Sequence, residues 1–146
     1  MKTRFIFAIL ASALTVLVLN GVIYPLFYGD FLRNYSGMGV ELWDKIQKPV
    51  EETNLPVTFL SMILIGSLVT SVVKWSQSTT FLKGIRSGVV LGLLMVGGVN
   101  MGLLATTNYY SYTSAFVDVF VGGLSIAVSC GVAAVVIGSG KKITAK

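Results

Sequence analysis

Four apolar runs, at about residues 5–28, 56–75, 85–106 and 114–137, constrain this chain more than any other feature. Each is long enough to cross a bilayer as a helix, which takes roughly 20 residues. Charged residues make up 12% of the 146 residues, where a soluble domain carries about a quarter. The expected fold is therefore all-α: one integral membrane domain over residues 1–146, built as a four-transmembrane-helix bundle. Pro56, following Thr53, Asn54 and Leu55, begins the second span with a capping residue and an early proline. Gly138, Ser139, Gly140, Lys141 and Lys142 stop the fourth.

Lys2, Arg4 and the Ala11-Ser12-Ala13 stretch resemble a secretory signal. The apolar run continues to Tyr28, however, well beyond the roughly 7–15 residues of a signal core, so it is expected to be a retained span. Charge then sets the orientation. Lys2, Arg4, Lys74, Lys83, Arg86, Lys141, Lys142 and Lys146 fall at one side of the four runs. Arg33, Lys45 and Lys48 fall at the other. The positive-inside rule places both termini in the cytoplasm, in a multi-pass protein of the cell membrane.

The outer loop, residues 29–55, holds Asp30, Glu41, Asp44, Glu51 and Glu52. Within it Val40, Trp43, Ile46 and Val50 recur at helical spacing, with charged residues between them. A short amphipathic helix on the outer surface fits this pattern, ended or kinked by Pro49. A plain loop with its tryptophan at headgroup level fits as well. Residues 107–113 are too few to do more than join spans three and four as a hairpin. Tyr109, Tyr110 and Tyr112 there read as an interfacial belt.

Small residues matter at helix contacts in lipid, where apolar surface alone gives no drive to associate. Span three carries Gly84, Gly88 and Gly92 at four-residue spacing. Span four carries Asp118, Gly122, Ser125, Ser129 and Ala133 on one helical face. These faces serve close packing, or alternatively line a narrow cavity.

Asp118 is the sole acid outside the outer loop. It lies about four residues into its apolar run, roughly 6 Å inside the boundary. Asn20, Tyr24, Ser61 and Asn100 fall at similar depth, so the sequence predicts an outer-leaflet polar layer of Asn20, Tyr24, Ser61, Asn100 and Asp118. Asp118 is near the helix start, where the positive end of the macrodipole favours an anion. It reads either as a hydrogen-bond anchor or as a proton or ligand site, the default reading of an intramembrane acid.

No histidine is present, and neither paired intramembrane carboxylates, an HExxH zinc site nor a GxSxG elbow occurs. Cys130 in an apolar helix reads as an inert small hydrophobe. Ser71 and Lys74 have the spacing of a Ser–Lys pair, but Lys74 more simply snorkels to the interface. The expectation is no enzyme, no metal and no cofactor. The net charge of +5 flanks apolar runs instead of forming a patch, which argues against nucleic acid as a partner. Expected partners are the lipid bilayer and either a second copy of the chain or a larger membrane protein.

Tyr24, Pro25, Leu26, Phe27 and Gly29, with Phe31 as a looser companion, form an aromatic-Pro-Leu-Phe-x-Gly pattern closing the first span. Gly88 and Gly92 lead to an Asn108-Tyr109 turn, and Val117-Asp118 opens the last span. Together these resemble a family of small four-helix bacterial integral membrane proteins of unknown function. The resemblance implies the four-span fold and a bacterial cytoplasmic membrane, and no activity. Function is expected to be that of a non-enzymatic packing, accessory or interaction protein. The alternative is a minimal transporter, or a lipid- or small-ligand-binding protein, using the layer around Asp118.

Overall fold

A computed structural model describes residues 2–23, 29–46, 48 and 50–139. Its helices are α1 (Lys2–Ile23), α2 (Gly29–Tyr35), α3 (Val40–Ile46), α4 (Leu55–Trp75), α5 (Phe81–Thr106) and α6 (Tyr112–Gly138), with a 3-10 turn at Val50–Glu52 before α4. Four of them, α1, α4, α5 and α6, are long and apolar enough to cross a membrane. Tyr24, Pro25, Leu26 and Phe27, with Pro49, Gly140, Lys141, Lys142 and Lys146, lie outside the described residues.

Capping side chains explain where the long helices start. Asn54 precedes α4 and accepts from the Val57 amide at 3.2 Å, with proline in the first turn. Thr80 precedes α5 and accepts from Lys83 N at 3.4 Å. This starts α5 at Phe81, a full turn before the expected Ile85, because apolar content alone discounts Lys83 and Gly84. Ser111 and Ser114 form a reciprocal box that starts α6 at Tyr112. The two single caps and this box satisfy backbone donors that the first turn leaves open.

The helix α6 is the hub. Half (50%) of the residues in its most apolar window are buried, against 22, 22 and 17% in α1, α4 and α5. It packs against α5, α1 and α4, and α1 packs along α4. Small side chains set these contacts. A Cβ on Gly84 would run into the Cys130 carbonyl, one on Gly88 would come within 2.6 Å of Ala127 Cα, and one on Gly92 within 2.7 Å of Gly123 Cα. Gly122 meets Val96 from the other side at 3.0 Å. Close backbone approach of this kind maximises van der Waals contact. Ser125 and Ser129 are buried, and their hydroxyls donate back to Val121 O and Ser125 O, so this face of α6 is packed interior. Ala8, Val69, Val73, Ile126, Cys130, Ala133 and Ala134 complete the core toward the α4–α5 turn.

Between α1 and α4, Ser12 Oγ donates to the carbonyls of Ile9 and Gly66 at 3.0 and 3.2 Å, and meets Thr70 Oγ1 at 3.3 Å. Gly66 is tight against Ala13 and the Ile9 carbonyl. Two turns further along the same faces this contact has ended. Asn20 follows Ala13 by two turns and is exposed; Phe59 precedes Gly66 by two turns and is 55% exposed. The two helices therefore diverge away from the α4–α5 turn.

The opposite end carries a cap. Leu32 of α2 and Trp43 of α3 are buried, with the half-buried Phe31, Tyr109, Tyr110, Val117 and Val121 packed against them. Gly37 N donates to Tyr109 O at 3.3 Å, and Ser111 Oγ donates to Tyr35 O at 2.5 Å. A side chain at Gly37 would strike the Asn108 and Tyr110 carbonyls, so glycine is what lets the α2–α3 turn lie on the hairpin. Arg33 grips Asp44 through two hydrogen bonds of 2.9 and 2.7 Å and fastens α2 to α3. The expected amphipathic helix is thus present as α3, but its apolar residues divide. Trp43 turns inward, while Val40 and Ile46 stay exposed. Residues of α2 carried no apolar periodicity; packing of Leu32 under the cap holds that helix.

Candidate functional site

The α5–α6 register decides which polar side chains meet. Gly92 against Gly123 and Val96 against Gly122 are successive rungs of the antiparallel interface. The next rung toward the cap joins Asn100 to Asp118. Asn100 is 3% exposed, and its Nδ2 donates to Asp118 Oδ2 at 2.5 Å. Tyr110, in the hairpin turn, donates its hydroxyl to the same oxygen at 3.1 Å. Asp118 is half-buried.

Asp118 lies beyond the first turn of α6, because capping at Ser111 starts the helix earlier than the apolar run does. A macrodipole acts mainly within the terminal turn. The two donated hydrogen bonds are therefore the main local support of this carboxyl. Both come from neutral groups, and among the described residues no cationic side chain pairs with it. A carboxyl held by an amide and a phenol can anchor three chain segments together. It can equally accept a proton or a cation on its second oxygen.

Of the expected polar layer, Asn100 and Asp118 come together. Asn20 on α1 and Ser61 on α4 are both exposed, and among the described residues neither joins the Asp118 hydrogen bonds. Tyr24 is outside the described residues. Tyr110, which composition places in an interfacial belt, instead turns its hydroxyl to the carboxyl. The available signal was its position in the short turn joining the helices that carry Asn100 and Asp118.

Tyr110 also belongs to the cap. Its ring meets Tyr109 edge-on at 4.8 Å, and Tyr109 lies 5.3 Å from Trp43. Its backbone pairs with Ser36 in an isolated antiparallel bridge. The carboxyl and the cap thus share one residue.

Elsewhere, Lys74 Nζ stands 5.1 Å over the Phe5 ring, a cation–π contact near the α4–α5 turn. Cys130 is buried beside Gly88. Among the described residues no group of three His, Cys, Asp or Glu side chains gathers. No family model, no curated protein and no solved structure matches the chain.

Proposed function

We propose that this chain is a multi-pass protein of the cytoplasmic membrane, with both termini inside, that works by packing against another membrane helix and performs no catalysis. The observation that carries this reading is Asn20. It lies within the apolar window Thr3–Val22 yet is exposed on α1. A carboxamide moved into hydrocarbon without a hydrogen-bond partner costs several kcal/mol, about 4–8 on a cyclohexane scale. A second helix carrying an acceptor removes that cost, and such interhelical bonds are worth about 1–2 kcal/mol in peptides. The divergence of α1 from α4 leaves room for it. Co-purification in mild detergent followed by native mass spectrometry tests the reading. Wild type should carry a second copy or a larger membrane partner, and Asn20→Leu should weaken the complex. A strict monomer with nothing bound would overturn it.

A second reading is favoured by the meeting of Asn100, Tyr110 and Asp118: a proton or small-ligand site under the α2–α3 cap. Proton flux into liposomes holding the purified chain, read with an internal pH dye, tests the proton version. Flux above protein-free vesicles that disappears in Asp118→Asn supports it; equal flux in both proteins removes it.

A further inference from the structure

An open groove of about 440 Å³ separates α3 from the cap end of α5. One wall is Leu42 and Ile46, four residues apart on one face of α3, with Met38 from the turn before that helix. The other is formed by Leu103, Thr107, Asn108 and Tyr109. Its size falls in the roughly 300–1,000 Å³ range of small-molecule sites. Two features make it a built groove. Trp43, on the flank of α3 beside Ile46, is 4% exposed and packs on Tyr109, so α3 is pinned along one edge of the groove. Gly37 fixes the start of α3 by its backbone contact with the hairpin turn. The front of the helix is left standing off α5, with Leu42 and Ile46 at 49 and 50% exposure.

We propose that this groove holds one acyl chain of a membrane phospholipid. The proposal rests on the membrane placement given above. Leu103 belongs to the last turns of a helix long and apolar enough to span, and Val99, one turn earlier, is 59% exposed on the same helix. The groove thus continues the surface that α5 offers to acyl chains and ends at Thr107 and Asn108, where the chain leaves the helix. The charges of α3 do not line it. Glu41 pairs with Lys45 at 2.8 Å, and Asp44 pairs with Arg33. Water in such an apolar slot is unfavourable, and a lipid tail that enters from the side meets no charge. An interfacial helix with an apolar face in the acyl boundary is a known physical arrangement, and here α5 provides a second wall for it.

The test uses the full chain in phosphatidylethanolamine–phosphatidylglycerol vesicles doped with a phosphatidylethanolamine bearing a diazirine midway along one acyl chain. After illumination, labelled peptides are mapped by mass spectrometry. Label on the Met38–Ile46 and Leu103–Tyr109 segments should exceed, several-fold, that on the Leu94 segment, which faces bulk lipid at 71% exposure. Leu42→Trp, or independently Leu103→Trp from the other wall, should fill the groove and drop its label to the Leu94 level. Groove label equal to that at Leu94 overturns the proposal, as does label unchanged by both fillings. An absence of label at Leu94 as well would instead overturn the membrane placement.

Discussion

Asp118 is held by two neighbours that reach it by different routes, and this separates what a sequence can and cannot disclose about a single residue. Asn100 could be found from depth, because rise per residue converts position in an apolar run into height. Height is silent about azimuth. Asn20 and Ser61 share the height of Asp118, but their helices present them outward. The glycine rungs of α5 are what turn Asn100 toward Asp118. Tyr110 escaped because a turn residue takes its direction from tertiary contacts, here Ser36 and Tyr109. The Asn100–Asp118 bond is expected to stabilise the α5–α6 pair. A double-mutant cycle with Asn100→Leu and Asp118→Leu, read by unfolding in mixed detergent micelles, should give a coupling of about 1 kcal/mol, between the roughly 0.6 average and 1.7 maximum seen across membrane helices. Additive losses would show that the bond carries no stability. Tyr110→Phe should cost less than Asn100→Leu, since it leaves the shorter bond in place.

Among the helices, α5 was the most legible, since its Gly84, Gly88 and Gly92 stripe could be written down as a packing face and is buried against α6. The ends of the helices were less so, because caps lie outside the apolar runs. The comparison of Gly88 with Gly98 isolates the packing. A side chain at Gly88 meets Ala127 and Cys130, whereas one at Gly98 meets nothing within 4 Å. Gly88→Leu should destabilise the bundle by about 1–3 kcal/mol or more, while Gly98→Leu should stay within about 0.5 kcal/mol of wild type. Thermal loss of monodispersity in detergent would rank the two. In the cap, hydrogen bonding to Arg33 holds the Asp44 carboxyl below its usual 3.8. A depressed folded value means that this link is complete above 3.8 and is lost as pH falls through the folded value. In a Trp75→Phe background, Trp43 fluorescence should shift on acidification below that range, toward the spectrum that Asp44→Asn shows at neutral pH. An acid-insensitive spectrum would disconnect the fork from α3. The pair is exposed and screened, so a shift in the local cap is expected and not global unfolding.

For the whole molecule, the number of long apolar helices was readable because length and hydrophobicity alone decide it. The arrangement was not, since nothing in composition says that α6 lies between α1, α4 and α5. Orientation remains a matter of flanking charge, and it can be measured directly. In a Cys130→Ser background, a cysteine replacing Lys48 should react with an impermeant maleimide in intact cells. One replacing Gln77, in the α4–α5 turn, should react after permeabilisation alone. The opposite pattern would invert the topology, and with it the side on which the cap and groove face.

The hub position of α6 also bears on how the chain is made. A ribosome delivers α1, α4 and α5 before it, so the Ser12–Thr70 pairing can form early while the glycine stripe of α5 waits without a mate. Nascent chains arrested after Thr106 should therefore leave three helices loosely associated and open to quality-control proteases, and resistance should arise abruptly once α6 emerges.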